Sequence, residues 1–162
     1  SRGLGDVYKR QVKGTIYKGN DGSTYFFEGV NVGSGDGPTV GGTACQIGGT
    51  IYVGDNPNSF DINDMVHEYG HFLQEEAMRG KAACIGGTLG YAYVGIKGGM
   101  VGAYLGYMYG YALYCGGFSA YGYVCNMSDE DYYNLPSEKS ANEYGNEYMR
   151  NKYGKDAPQA TE

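Results

Sequence analysis

The spacing of apolar positions changes near residue 60. Before it, short apolar runs alternate with turn residues. Thr15-Ile16-Tyr17 and Thr24-Tyr25-Phe26-Phe27 flank Asn20-Asp21-Gly22-Ser23, which predicts a hairpin. Gly33 to Gly42 reads as a loop, Thr50-Ile51-Tyr52-Val53 as a further strand between glycines, and Asn56 to Asp61 as a turn. Beyond it, Ile62, Met65, Val66, Tyr69, Phe72 and Leu73 recur at three- and four-residue spacing. That period predicts an amphipathic helix from about Asp61 to Arg79, with Asp61 or Asn63 as its N-cap and Gly80 at its end. Leu135-Pro136-Ser137 opens a second helix, Glu138 to Tyr153, stopped by Gly154, with Ala141, Tyr144, Tyr148 and Met149 on its buried face. Strands followed by helices predict an α+β fold with a small N-terminal antiparallel sheet. The polar tail, 155–162, is expected to fray.

Between the two helices the pattern is of another kind. Gly86 to Gly122 holds twelve glycines and eight tyrosines, and Lys97 is its only charge. Gly98, Gly102, Gly106 and Gly110 recur every four residues, the spacing of a small-residue helix-packing face. Two readings follow: an apolar insertion packed over the cleft, which is preferred, or a helical hairpin that contacts a membrane through 86–117. Tyrosine is too weakly apolar for a lipid span of about 20 residues, and each glycine costs a solvated helix roughly 1 kcal/mol.

Length and charge narrow the classes. The 162 residues suffice for one domain with its own core. A formal charge of −6 and a pI near 4.9 argue against a nucleic-acid partner, which a basic face would attract. Cys45, Cys84, Cys115 and Cys125 contain no C-x-x-C pair. They allow two disulfides in an oxidising compartment or serve as small buried hydrophobes, and both readings stay open. The opening SRGLGDVYKRQ includes DVYKRQ, which resembles a translated transposase adapter from library preparation. Residues 1–11 are accordingly read as an assembly scar, 12–154 as the domain with 86–122 inserted in it, and the chain as a fragment of a larger polypeptide.

The chemistry concentrates in His67-Glu68-Tyr69-Gly70-His71. Histidines at i and i+4 share one helical face, so both imidazoles can reach one zinc ion. Glu68, about 100° round the helix, is placed to act as general base on a water at the metal. These are the only two histidines in the chain. Asp64 and Glu75 read as solvated charges on the same helix.

The third ligand sorts the zinc peptidase classes. A metzincin would carry a histidine at position 77 and a glycine at 74, but Ala77 and Gln74 stand there. Without a third histidine the ligand must be a carboxylate. Glu138, in the first turn of the C-terminal helix, is the leading candidate; Glu143 and Glu147 follow, with Asp129 to Asp131 more distant. Asn142 shares the Glu138 face and is placed to hydrogen-bond a ligating histidine. The E-x-x-x-N spacing resembles the E-x-x-x-D of thermolysin-like gluzincins, with asparagine where aspartate is usual.

HEYGHFLQ followed about sixty residues later by PSEKSANEYG resembles the small zincin domains at the C-termini of Rhs/YD-repeat polymorphic toxins. The matching stretches cover only Asp64 to Gln74 and Pro136 to Gly145. The resemblance implies a zincin-like fold, an active-site helix, a C-terminal helix supplying the third ligand, and Zn2+ held by His67, His71 and Glu138. It further implies a metallopeptidase acting on protein or peptide, delivered by bacteria to the outside or the cell surface. The contrasting expectation is a non-enzymatic, membrane-active module stapled by a structural zinc.

Overall fold

The computed structural model describes residues 13–19, 22–34, 44–54, 60–125 and 127–160, with the backbone alone for 111–125 and 129. The stretch 1–11, read from sequence as an assembly scar, and most of the 56–61 turn lie outside these residues. The chain is α+β and divides into two compact units, Ser1–Ile62 and Asn63–Glu162, each described by itself.

In the first unit, β1 (Gly14–Lys18) and β2 (Thr24–Glu28) form the expected antiparallel hairpin, pairing Thr15 with Phe27 and Tyr17 with Tyr25. A second sheet was not predicted as such. It has the order β3-β5-β4, where β3 is Asn31–Ser34, β4 Ala44–Ile47 and β5 Thr50–Val53. β4 and β5 are antiparallel across Gly48-Gly49, both at positive φ (57° and 81°), as a two-residue hairpin turn requires. β3 instead pairs parallel to β5, so this sheet is mixed, and its Gly33-Ser34 end occupies what reads in sequence as the start of a loop. Phe27, Val30, Ile51 and Val53 are buried, whereas Ile16, Val32 and Ile47 are exposed.

The second unit is helical. α1 (Ile62–Cys125) breaks at Gly95 (φ 71°, ψ −155°), a conformation that L side chains avoid, into an outgoing limb, 62–94, and a return limb, 96–125. Gly80 therefore does not end the first helix: its φ is negative, and the limb continues because it gains a partner. A Cβ added at Gly86 would overlap the Gly102 carbonyl oxygen, one at Gly90 that of Gly98, and one at Gly106 that of Ala82. The four-residue glycine repeat is thus the contact row of an antiparallel helical hairpin, packed backbone on backbone.

After the short α2 (Asp129–Tyr133), capped by Ser128, α3 runs Pro136–Tyr153 with proline in its first turn. α3 crosses the start of α1 without intervening side chains. A Cβ at Gly70 would fall on the Ala141 carbonyl oxygen, and one at Gly145 on that of Val66. Around this crossing Met65, Val66, Tyr69, Ala141 and Met149 are buried, while Tyr144 and Tyr148 are half-buried. The Tyr69 and Tyr148 rings pack at 4.6 Å between centroids. Burying each large apolar side chain contributes on the order of 1.5–3 kcal/mol.

Gly70→Ala tests the crossing. The overlap is with backbone, which cannot rotate away, so the cost is expected at about 3 kcal/mol, the upper end of overpacking. For a chain of this size that lowers Tm by roughly 6–12 °C. A thermal melt matching wild type would show that the helices do not approach there.

Candidate metal centre

The crossing sets the site. Gly70 lies between Glu68 and His71, and Ala141 between Glu138 and Asn142. Contact at Gly70–Ala141 therefore brings the two functional faces together. His67 Nε2 lies 3.3 Å and His71 Nε2 3.2 Å from the same oxygen, Glu138 Oε2. Among the described residues these three form a cluster of metal-ligating side chains, their ligand atoms within 4.8 Å of one another. Ser137 Oγ donates to the other carboxylate oxygen, Glu138 Oε1, at 3.3 Å.

Each imidazole is held from behind by an amide. His67 Nδ1 is 2.7 Å from Asn142 Oδ1, and His71 Nδ1 is 3.3 Å from Gln74 Oε1. An amide oxygen only accepts, so both Nδ1 atoms carry the hydrogen, and in the neutral rings both Nε2 lone pairs face the carboxylate. Three lone-pair donors then converge on one point. Such a convergence is stable only if a proton or a cation sits between them.

The protonation preferences express the same demand. Burial alone would lower the His67 pKa, but hydrogen bonds to Glu138 and Asn142 and the Glu68 and Glu138 charges raise it to about 8. Burial alone would raise Glu138; the hydrogen bonds and charges of the two histidines pull it down to about 2. A metal replaces those protons. Two donors each 2.0–2.1 Å from a tetrahedral zinc lie roughly 3.3–3.4 Å apart, close to the 3.2 and 3.3 Å found here. Two imidazoles and a carboxylate, their ligand atoms all within 4.8 Å of one another, are a donor set that fits a metal ion.

Glu68 is buried, and its Oε2 has no hydrogen-bond partner. Burial pushes its pKa upward against the pull of His71 and His67. The other carboxylates are engaged elsewhere or face solvent. Glu143 and Glu147 are exposed on α3, as is Glu130 on α2, and Asp131 closes the α2 cap with Ser128. The Asp129 side chain lies outside the described residues. Asp64 is half-buried, and Glu75, read from sequence as solvated, is in fact buried and paired with Arg79. Its partner Arg79 in turn stacks over Tyr107 of the return limb at 5.3 Å. Cys45 is half-buried and Cys84 exposed; the side chains of Cys115 and Cys125 lie outside the described residues.

Gln74 is the residue that sequence reasoning missed. It is fully buried; besides holding His71 it donates from Nε2 to the Ser137 carbonyl at 3.1 Å and to Ser140 Oγ, fastening α1 to α3. Its signal was a polar residue three positions after His71, on the ligand face. Tyr133 stands edge-on to His67, with ring centroids 6.4 Å apart.

The amide partners lead to a prediction. Asn142→Ala frees the His67 ring and should weaken metal binding at this cluster about 10–100-fold, the usual cost of losing such a support. Asn142→Asp should bind the metal more tightly than wild type, because a carboxylate raises imidazole basicity. Competition with a zinc chelator measures both, and equal affinities across the three proteins would dismiss the role.

Comparison with family models, with curated proteins and with solved structures finds no match to this chain.

Proposed function

We propose that the chain is a zinc metallopeptidase domain of the gluzincin type, zincin-like in fold, hydrolysing peptide bonds in a protein or peptide substrate. One observation carries this reading. His67, His71 and Glu138 converge, and beside them stands a buried carboxylate, Glu68, with an oxygen that nothing else engages. Among the described residues no fourth His, Cys, Asp or Glu joins the cluster, and three protein ligands with an open position characterise catalytic rather than structural zinc.

A bound zinc supplies Lewis-acid polarisation of the scissile carbonyl and lowers the pKa of the attacking water. The chain's own groups do the rest. Glu68 takes a proton from the attacking water as the oxygen adds to the carbonyl carbon, then delivers it to the leaving amine nitrogen as the C–N bond breaks. Its burial beside the two histidines and its unengaged Oε2 place it to take that proton and return it. Asn142 and Gln74 hold the two imidazoles in the tautomer that offers Nε2 to the metal.

The HEYGHFLQ and PSEKSANEYG stretches, which resemble the terminal zincin domains of Rhs/YD-repeat toxins, support a further reading. In it the domain is the effector end of a larger bacterial protein, secreted or delivered at the cell surface. The contrasting possibility is a structural zinc. Elemental analysis of purified protein, with casein cleavage before and after chelation and after zinc is restored, separates them. The expected result is about one zinc per chain and cleavage that follows the metal. Stoichiometric zinc without cleavage of any protein substrate would make the site structural.

A further inference from the structure

The hairpin of α1 carries a surface that the metal chemistry does not use. Its contact row on the outgoing limb is Ala82, Gly86 and Gly90, and on the return limb Gly98, Gly102 and Gly106. One residue before each contact position runs a second row: Lys81, Ile85, Leu89, Tyr93 on the outgoing limb and Lys97, Val101, Leu105, Tyr109 on the return. A twofold rotation perpendicular to the plane of an antiparallel hairpin exchanges its limbs and preserves chain direction. It therefore carries one row onto the other, and both lie on the same face.

That face is solvent-exposed throughout. Ile85 is 63 % exposed, Leu89 56 %, Val101 58 % and Leu105 48 %. Tyr93 and Tyr109 stand at opposite ends of it, as do Lys81 and Lys97, all four exposed. The opposite face pairs Gly87 with Ala103 and also bears Tyr91 and Tyr107, but it carries no lysine, so both exposed charges stand on the Lys81–Lys97 face. A contiguous apolar face of this kind marks an interaction surface.

Charge selects the occupant. The chain is acidic overall, at −6, yet residues 77–128 contain Arg79, Lys81 and Lys97 and no aspartate or glutamate. Arg79 is neutralised by Glu75, which leaves the two lysines that frame the apolar rows. A second copy docked on this face would bring four lysines together without an anion. An anionic lipid surface supplies the missing charge, accepts the aliphatic centre, and suits tyrosine and lysine at its margin. Among the described residues no helix is long and apolar enough to cross a membrane, which leaves a face that lies on the bilayer.

We infer that the Lys81–Tyr93 and Lys97–Tyr109 face of the hairpin docks on the surface of an anionic lipid bilayer, independently of the metal site.

Flotation of the full chain with vesicles tests this, using phosphatidylcholine alone and phosphatidylcholine mixed with phosphatidylserine. Binding is expected to the mixed vesicles, to weaken with salt, and to be much weaker without phosphatidylserine. Lys81→Gln with Lys97→Gln should reduce it about thirty-fold, at roughly five-fold per lysine. Leu89→Asp with Leu105→Asp should abolish it while zinc content and melting temperature stay at wild-type values, because both positions are exposed. As a measurement independent of variants, amide exchange over 81–109 should slow when mixed vesicles are added. The inference is overturned by absence of binding to mixed vesicles, or by binding that survives the double aspartate variant. It is equally overturned if the chain dimerises in solution through this face, shown by Leu105→Asp yielding monomers, and ignores vesicles.

Discussion

Glu68→Gln is expected to lower peptide cleavage by about two to four orders of magnitude, the span attributed to a positioned general acid–base group, while zinc content stays at wild-type level. The separation of the two readouts follows from geometry. Glu68 is not among the three converging ligands, so its replacement leaves His67, His71 and Glu138 as they are. Glutamine keeps the shape but can neither accept the proton of the attacking water nor return it to the amine. Stability should hold or rise, because burial disfavours the charged form of Glu68 and the substitution removes that cost. A steady-state assay with casein or a quenched peptide, run beside elemental analysis and a thermal melt, reads all three quantities. Unimpaired cleavage by the variant would remove Glu68 from the reaction.

Glu138→Ala is expected to do the reverse and strip the metal. Losing a group that merely supports a ligand costs about 10–100-fold in affinity, so losing the ligand itself should cost more than about 100-fold. Activity would fall with it and return in part at high zinc. The substitution also leaves His67 and His71 facing each other without their shared carboxylate, in a half-buried site. Glu143→Ala and Glu147→Ala, on exposed positions of the same helix, supply the contrast: both should keep zinc and activity. A chelator titration comparing the three variants decides which α3 carboxylate is the ligand, and loss of zinc on removing Glu143 or Glu147 would displace Glu138.

What sequence could reveal depended on whether the signal was local. The β1–β2 hairpin announced itself by apolar runs about a turn, and α3 by Pro136 at one end and Gly154 at the other. The i, i+4 spacing of His67 and His71, and of Glu138 and Asn142, required only helical geometry. β4 was not predicted, although Gly48-Gly49 between Ile47 and Thr50 is a hairpin signal. β3 was not legible: Asn31-Val32-Gly33-Ser34 has a single large apolar side chain and is a strand by virtue of its ladder to β5. Gly80 illustrates the opposite error. Glycine ends a helix when nothing else holds the next turn, and here the limb beyond it packs on a return limb that no window around residue 80 contains. Glu75 was misjudged for a related reason: its partner Arg79 is itself held against Tyr107 of the distant return limb. The roles of Gly70 and Gly145 belong to the crossing of two helices far apart in sequence, which local pattern does not encode.

The most direct measurement is X-ray absorption at the zinc edge of the purified wild-type protein. Two imidazole nitrogens and a carboxylate oxygen at about 2.0–2.2 Å, completed by a light exchangeable ligand, are the predicted shell. Sulfur scattering near 2.3 Å would place the metal on the cysteines instead, and protein that holds no zinc would contradict the site altogether.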